Sequence, residues 1–195
     1  MYMLEQRIQQ QFFESADLKY QSAELLSRDI ACASLALLGA ITAGGKVLVC
    51  GSGAGQALAG YLQALLVGHF ERQRPPLAAI DISARGSLCT MLGAADAVAQ
   101  QARALVQPGD VLVVIDVGAV DAATVAAVKA AREQDASVVV LSHTTATHWR
   151  EALSDTDVLV AVPHERAARV LEMHLLVLHG ICDALDLQLL GELEP

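Results

Sequence analysis

Charge is scarce in this chain of 195 residues: Asp, Glu, Lys and Arg together make 18% of it, against 54% hydrophobic residues. So little polar material leaves a small solvated surface, and some apolar faces are expected to close against other copies of the chain. Basic residues are the scarcer kind, 13 Lys and Arg against 22 Asp and Glu for a net charge of -9. That balance disfavours direct contact with nucleic acid, whose phosphates call for clustered lysine and arginine. Long uncharged runs are missing too. The longest near the N-terminus, Ile30 to Gly45, holds Ser34 and Thr42 and is shorter than a bilayer-spanning helix, so a core helix is expected and no membrane contact. The first eleven residues carry Glu5, Arg7 and four glutamines instead of a basic start and an apolar run, so a cytoplasmic location is expected. Cys32, Cys50, Cys89 and Cys182 show no C-x-x-C spacing, which reads as buried free thiols and not as disulfides or zinc ligands. No metal or cofactor is expected, and no linker, repeat or low-complexity tract divides the chain.

What is present is a strand-and-helix alternation. Apolar groups at Leu4, Ile8, Phe12, Ala16, Tyr20 and Ala23 recur near helical spacing, and a second helix is expected from about Arg28 to Thr42, ended by Gly44 and Gly45. The run Val47 to Cys50 enters Gly51-Ser52-Gly53-Ala54-Gly55 and a helix to Val67. Strands follow at Leu77 to Ile82, Val111 to Asp116, Ser137 to Leu141 and Val158 to Val162. Helices are expected across Ser87 to Val106, Ala122 to Gln134, Trp149 to Leu153 and Glu165 to about Leu189. Alternation of this kind predicts one α/β domain over 1-195, with leading helices in 1-43, a five-stranded parallel sheet with its helices in 46-163, and a final helix in 165-189.

In such sheets ligands bind beyond the carboxyl ends of the strands, where strand order reverses. The loop Gly51 to Gln56 follows a strand and opens a helix, so its N-H groups could hold an anion, or the glycines could serve tight packing alone. Gln56 stands where a nicotinamide fingerprint wants a third glycine. Asp116 ends a strand, and Asp121 precedes Ala122-Ala123-Thr124 as a helix N-cap. A carboxylate there would occupy the N-H groups a phosphate needs and repel it by roughly 3 kcal/mol at ~5 Å and an effective dielectric of about 20. His174 and His179 share the last helix with Glu172, but five-residue spacing points the two histidines apart, which does not suit one metal ion.

Lys46 to Gly53, Gly109-Asp110-Val111-Leu112, Val162-Pro163 and Arg169 to His174 fall in order as in SIS domains of the phosphoheptose isomerase type, which nearly the whole chain resembles. The resemblance implies a flavodoxin-like sheet, with leading and final helices bundled into a homotetramer. It also implies an isomerase that opens a sedoheptulose phosphate and moves a proton between neighbouring carbons, with a glutamate base and a histidine partner. The histidine matches His179. The glutamate position holds Leu65, and a nearby family histidine is Tyr61. The family's Ser-Thr-Ser-Gly-Asn-Ser phosphate loop is replaced by Asp116-Val117-Gly118-Ala119-Val120-Asp121, and Ser52, Gly55, Ala168 and Leu171 replace further substrate-side residues.

Pro163, Arg166, Ala168-Arg169, Glu172-Met173-His174 and Cys182-Asp183 resemble the family's DnaA initiator-associating (DiaA-like) branch. The leading expectation is therefore a non-catalytic oligomeric regulator of replication initiation. It would bind DnaA through Gln6, Leu189 and Leu190, with any ligand at Gly51, Ser52, Gly53, Gly55, Asp116 and Asp121. The alternatives are a sedoheptulose 7-phosphate isomerase, in which His179 is the retained catalytic residue, and a sugar-phosphate-binding sensor.

Overall fold

A computed structural model describes residues 2-83 and 86-192. In chain order the elements are α1 (Tyr2–Thr42), β1 (Val47–Gly51), α2 (Gly55–Val67), β2 (Ala79–Asp81), α3 (Gly86–Leu92), α4 (Ala94–Leu105), β3 (Val111–Ile115), α5 (Ala122–Arg132), β4 (Ser137–His143), α6 (His148–Ala152), β5 (Val158–Val162) and α7 (Ala167–Leu190). The strands form one parallel five-stranded sheet in the order β2-β1-β3-β4-β5, as expected. The chain leaves β1 toward β2 on one side and returns to β3 on the other, so the switch point lies between the ends of β1 and β3.

Period-2 alternation of side chains divides each strand between two cores. Val47, Val49, Val111, Val113, Ile115, Val139 and Leu141 face α1, α2 and α7. Leu48, Cys50, Leu112, Val114, Val138 and Val140 face α4, α5 and α6. Both faces are covered, which is why β1 and β3 are apolar and buried at every position. The second core is built largely from alanines of α4 and α5, among them Ala97, Ala102, Ala127 and Ala131, so those helices approach closely.

Three expectations need correction. The leading segment is one helix and not two. Ser27, which could have capped a second helix, instead donates its hydroxyl back to the Glu24 carbonyl at 3.2 Å, and no proline or glycine interrupts the chain before Gly39. The second strand is three residues long, because Leu77 N donates to the Leu66 carbonyl and pairing with β1 begins at Ala79. Cys32 is exposed on α1, whereas Cys50 and Cys182 are buried, and burial pushes the Cys182 thiol up to about 12 and the Cys50 thiol further. By length and composition α1 could cross a membrane, yet its Leu18, Leu26, Ala33 and Leu37 belong to the first core.

Candidate active site

The glycine loop at the switch point is held by sterics. A Cβ on Gly51 would lie 2.4 Å from the Gly55 carbonyl, and one on Gly55 would lie 2.3 Å from the carbonyl oxygen of Ile115. The turn therefore packs backbone on backbone against β3, and these two glycines are explained without a ligand. Gly53 adopts a positive φ of 49°, and Ser52 lies buried beneath the turn.

Asp116 is fully buried at the end of β3. Its carboxylate accepts hydrogen bonds from Trp149 Nε1 at 2.7 Å, Ser52 Oγ at 3.0 Å, Ser142 Oγ at 3.3 Å and Gly118 N at 3.4 Å. His148 Nε2 is 3.9 Å away. The charge is thus turned under the loop and spread over fixed donors. Asp121 behaves as the N-cap that its position predicts, accepting from Ala123 N at 2.8 Å. With Ser52, Gly53, Val117 and Gly118 it lines a cleft of about 310 Å³ that Asp116 does not line.

The two histidines of α7 have separate fates. His174 is fully buried, and its Nε2 meets the Ser142 carbonyl oxygen at 3.1 Å. Burial outweighs that bond and nearby Asp116 to hold its pKa near 4, so it is neutral near pH 7 and serves the core. His179 lies half-buried where α7 meets α2. Its Nε2 is 3.0 Å from the hydroxyl of Tyr61, whose ring packs edge-on at 5.8 Å, and the Phe70 ring lies against it at 5.2 Å. Leu65, one turn further along α2, is 8% exposed and belongs to the first core.

A buried ion pair fixes how these two helices meet. Arg74 Nε donates to Asp186 Oδ1 on α7 at 2.7 Å, and its other nitrogens donate to the carbonyls of Leu65 and Leu66 at 2.8 Å each, closing the end of α2. Nothing in the pattern around Arg74 announces this role. The tie between Tyr61 and His179 is equally invisible locally, since 118 positions separate them. The only signal was that each stands at a position where the resembled isomerases carry a histidine.

Gln6 is exposed on α1, Leu189 is half-buried and Leu190 is 38% exposed at the end of α7. Among the described residues no three His, Cys, Asp or Glu side chains converge in a way that could hold a metal ion.

The SIS domain family model matches residues 11–143. A phosphoheptose isomerase of Methylibium petroleiphilum is 50% identical over 98% of this chain and 98% of its own. Among solved structures, a phosphoheptose isomerase from Francisella tularensis superposes with a TM-score of 0.88 at 30% identity, covering 95% of this chain and 99% of that one. One from Neisseria gonorrhoeae gives 0.85 at 35% identity over 94% and 99%.

These relatives overturn the expectation of a non-catalytic DnaA-binding regulator: likeness to phosphoheptose isomerases runs through both chains almost end to end. The structure supplies a physical reason for the error. Of the two carboxylates that stand in place of the family's phosphate loop, Asp116 is buried, accepts hydrogen bonds from Trp149 and Ser52, and does not line the cleft. His179, the retained histidine, has Tyr61 as a hydrogen-bond partner.

Proposed function

The chain belongs to the SIS-domain family of phosphoheptose isomerases, and from that premise we propose that it interconverts sedoheptulose 7-phosphate and the corresponding aldose phosphate in the cytoplasm. The observation that carries this reading is the 50% identity over 98% of both chains with the Methylibium phosphoheptose isomerase. The reaction moves one proton between adjacent carbons of an open-chain sugar, so it needs a group that can take a proton and return it beside the substrate. With Leu65 at the position of the family glutamate, that group must come from elsewhere. His179, half-buried beside Tyr61 and standing at the position of the family histidine, is the retained candidate.

A homotetramer is part of the same proposal. Met3, Leu4, Phe12 and Phe13 on α1 and Leu176 and Leu187 on α7 are all more than 40% exposed, an apolar flank that other copies of the chain would cover. Sedimentation should therefore give a mass of about four chains.

Purified protein given sedoheptulose 7-phosphate is expected to form the aldose phosphate, followed by NMR of the anomeric protons. No conversion above an enzyme-free blank, with or without added divalent metal ions, would overturn the isomerase reading.

A further inference from the structure

Resting on the isomerase reading, we infer that Tyr61 is a catalytic residue, relaying the transferred proton between the substrate and His179. Three observations carry it. Tyr61 Oη lies 3.0 Å from His179 Nε2, within direct proton-transfer distance. The imidazole is held between Tyr61 and Phe70, with ring centroids 5.8 and 5.2 Å away, so its orientation is set before any substrate arrives. Tyr61 is 37% exposed, while the carboxylate that would otherwise act from α2 is replaced by a core leucine at 65. The phenol oxygen is therefore a partly exposed polar atom that α2 places beside the histidine.

The step balances with these two side chains alone. Neutral His179 accepts the Tyr61 O-H at Nε2. As the C1-H bond of the open ketose breaks, its proton moves to Tyr61 Oη and the phenol proton moves to Nε2. The C1-H electron pair becomes the C1-C2 double bond, and the carbonyl pair moves onto O2, leaving an enediolate opposite an imidazolium. The O1 hydroxyl proton then passes to the neighbouring O2 as the C1 carbonyl forms. The C1-C2 pair takes a proton on C2 from Tyr61, which recovers one from His179. Both side chains end in their starting forms, and nothing is oxidised or reduced. The Phe70 ring against the imidazole is an apolar neighbour, which strengthens the charge attraction between enediolate and imidazolium.

The test is Tyr61→Phe, which keeps the ring and removes the relay oxygen. The kcat should fall about 100-fold or more with KM within about threefold, and exchange of the C1 proton with deuterated solvent should fall in parallel. Tyr61→His, which again places a proton-carrying group on α2, should recover activity to within about tenfold of the natural enzyme. If Tyr61→Phe does not keep the natural melting temperature, Tyr61→Met carries the same comparison. A natural enzyme that turns over together with a folded Tyr61→Phe variant of undiminished kcat would overturn the relay while leaving the isomerase reading intact. A natural enzyme that converts nothing would overturn both.

Discussion

Helix α2 starts in one kind of polar site and passes through another. At its beginning, Ser52 and Asp116 are buried and bonded to protein groups, and the backbone packs so closely at Gly51 and Gly55 that neither has room for a Cβ. Two turns on, Tyr61 and His179 form a bond between helices at a position that remains partly exposed. The histidines of α7 repeat the contrast, with His174 buried against β4 and His179 half-buried beside Tyr61. A polar group held inside the protein serves the fold, and one left partly exposed can act on a ligand. The conspicuous motif here belongs to the first kind.

Exchanging the roles by mutation should give opposite signatures, and this is the largest effect expected. Asp116→Ala would leave the buried Trp149 Nε1, Ser52 and Ser142 donors without their acceptor, costing about 3–5 kcal/mol in chemical denaturation. His179→Gln should cost about 1 kcal/mol or less and abolish turnover. Equal losses of stability at the two positions would remove the distinction between the sites.

Acid should separate the histidines next. His174 titrates near 4 when folded, against an ordinary value of 6.5, so the unfolded chain binds its proton first as pH falls. Its neutral burial therefore favours the fold fully above about pH 6.5, and that contribution is lost progressively between 6.5 and 4. The loss is on the order of 3 kcal/mol by the linkage relation. His174→Gln, whose amide can still donate to the Ser142 carbonyl, should flatten the stability profile across that window relative to the natural protein. An unchanged slope would show that His174 is not the group responsible.

How far the sequence announced these sites follows from how local each determinant is. Strand β5 was expected at Val158–Val162 and lies there, because a short β-branched run is a local signal. The Asp121 cap was legible for the same reason, since capping involves only the next few residues. The continuity of α1 was not, because Ser27 can cap a new helix or bond back to Glu24, and packing along the sheet decides between them. The direction in which Asp116 points was likewise hidden. It depends on Trp149 and Ser142, which come from α6 and β4 and meet it only in the folded chain. Its charge therefore belongs to the core and not to the cleft at the switch point.

Asp121 is the residue on which the two kinds of site meet, since it caps α5 and also lines the cleft at the switch point. Removing its charge while keeping its acceptor separates those roles. Asp121→Ser retains an oxygen for Ala123 N, so stability should change by no more than about 0.5 kcal/mol, since serine and aspartate are comparable caps. If the substrate phosphate sits in this cleft, the same change removes a like charge whose repulsion at ~5 Å is worth up to roughly 3 kcal/mol at an effective dielectric of 20, and solvent in the open cleft reduces that figure. The KM for sedoheptulose 7-phosphate should then fall, with a smaller fall at high salt, while kcat stays near its natural value because Tyr61 and His179 are untouched. A KM that does not move would place the phosphate outside the cleft and leave Asp121 as a helix cap alone.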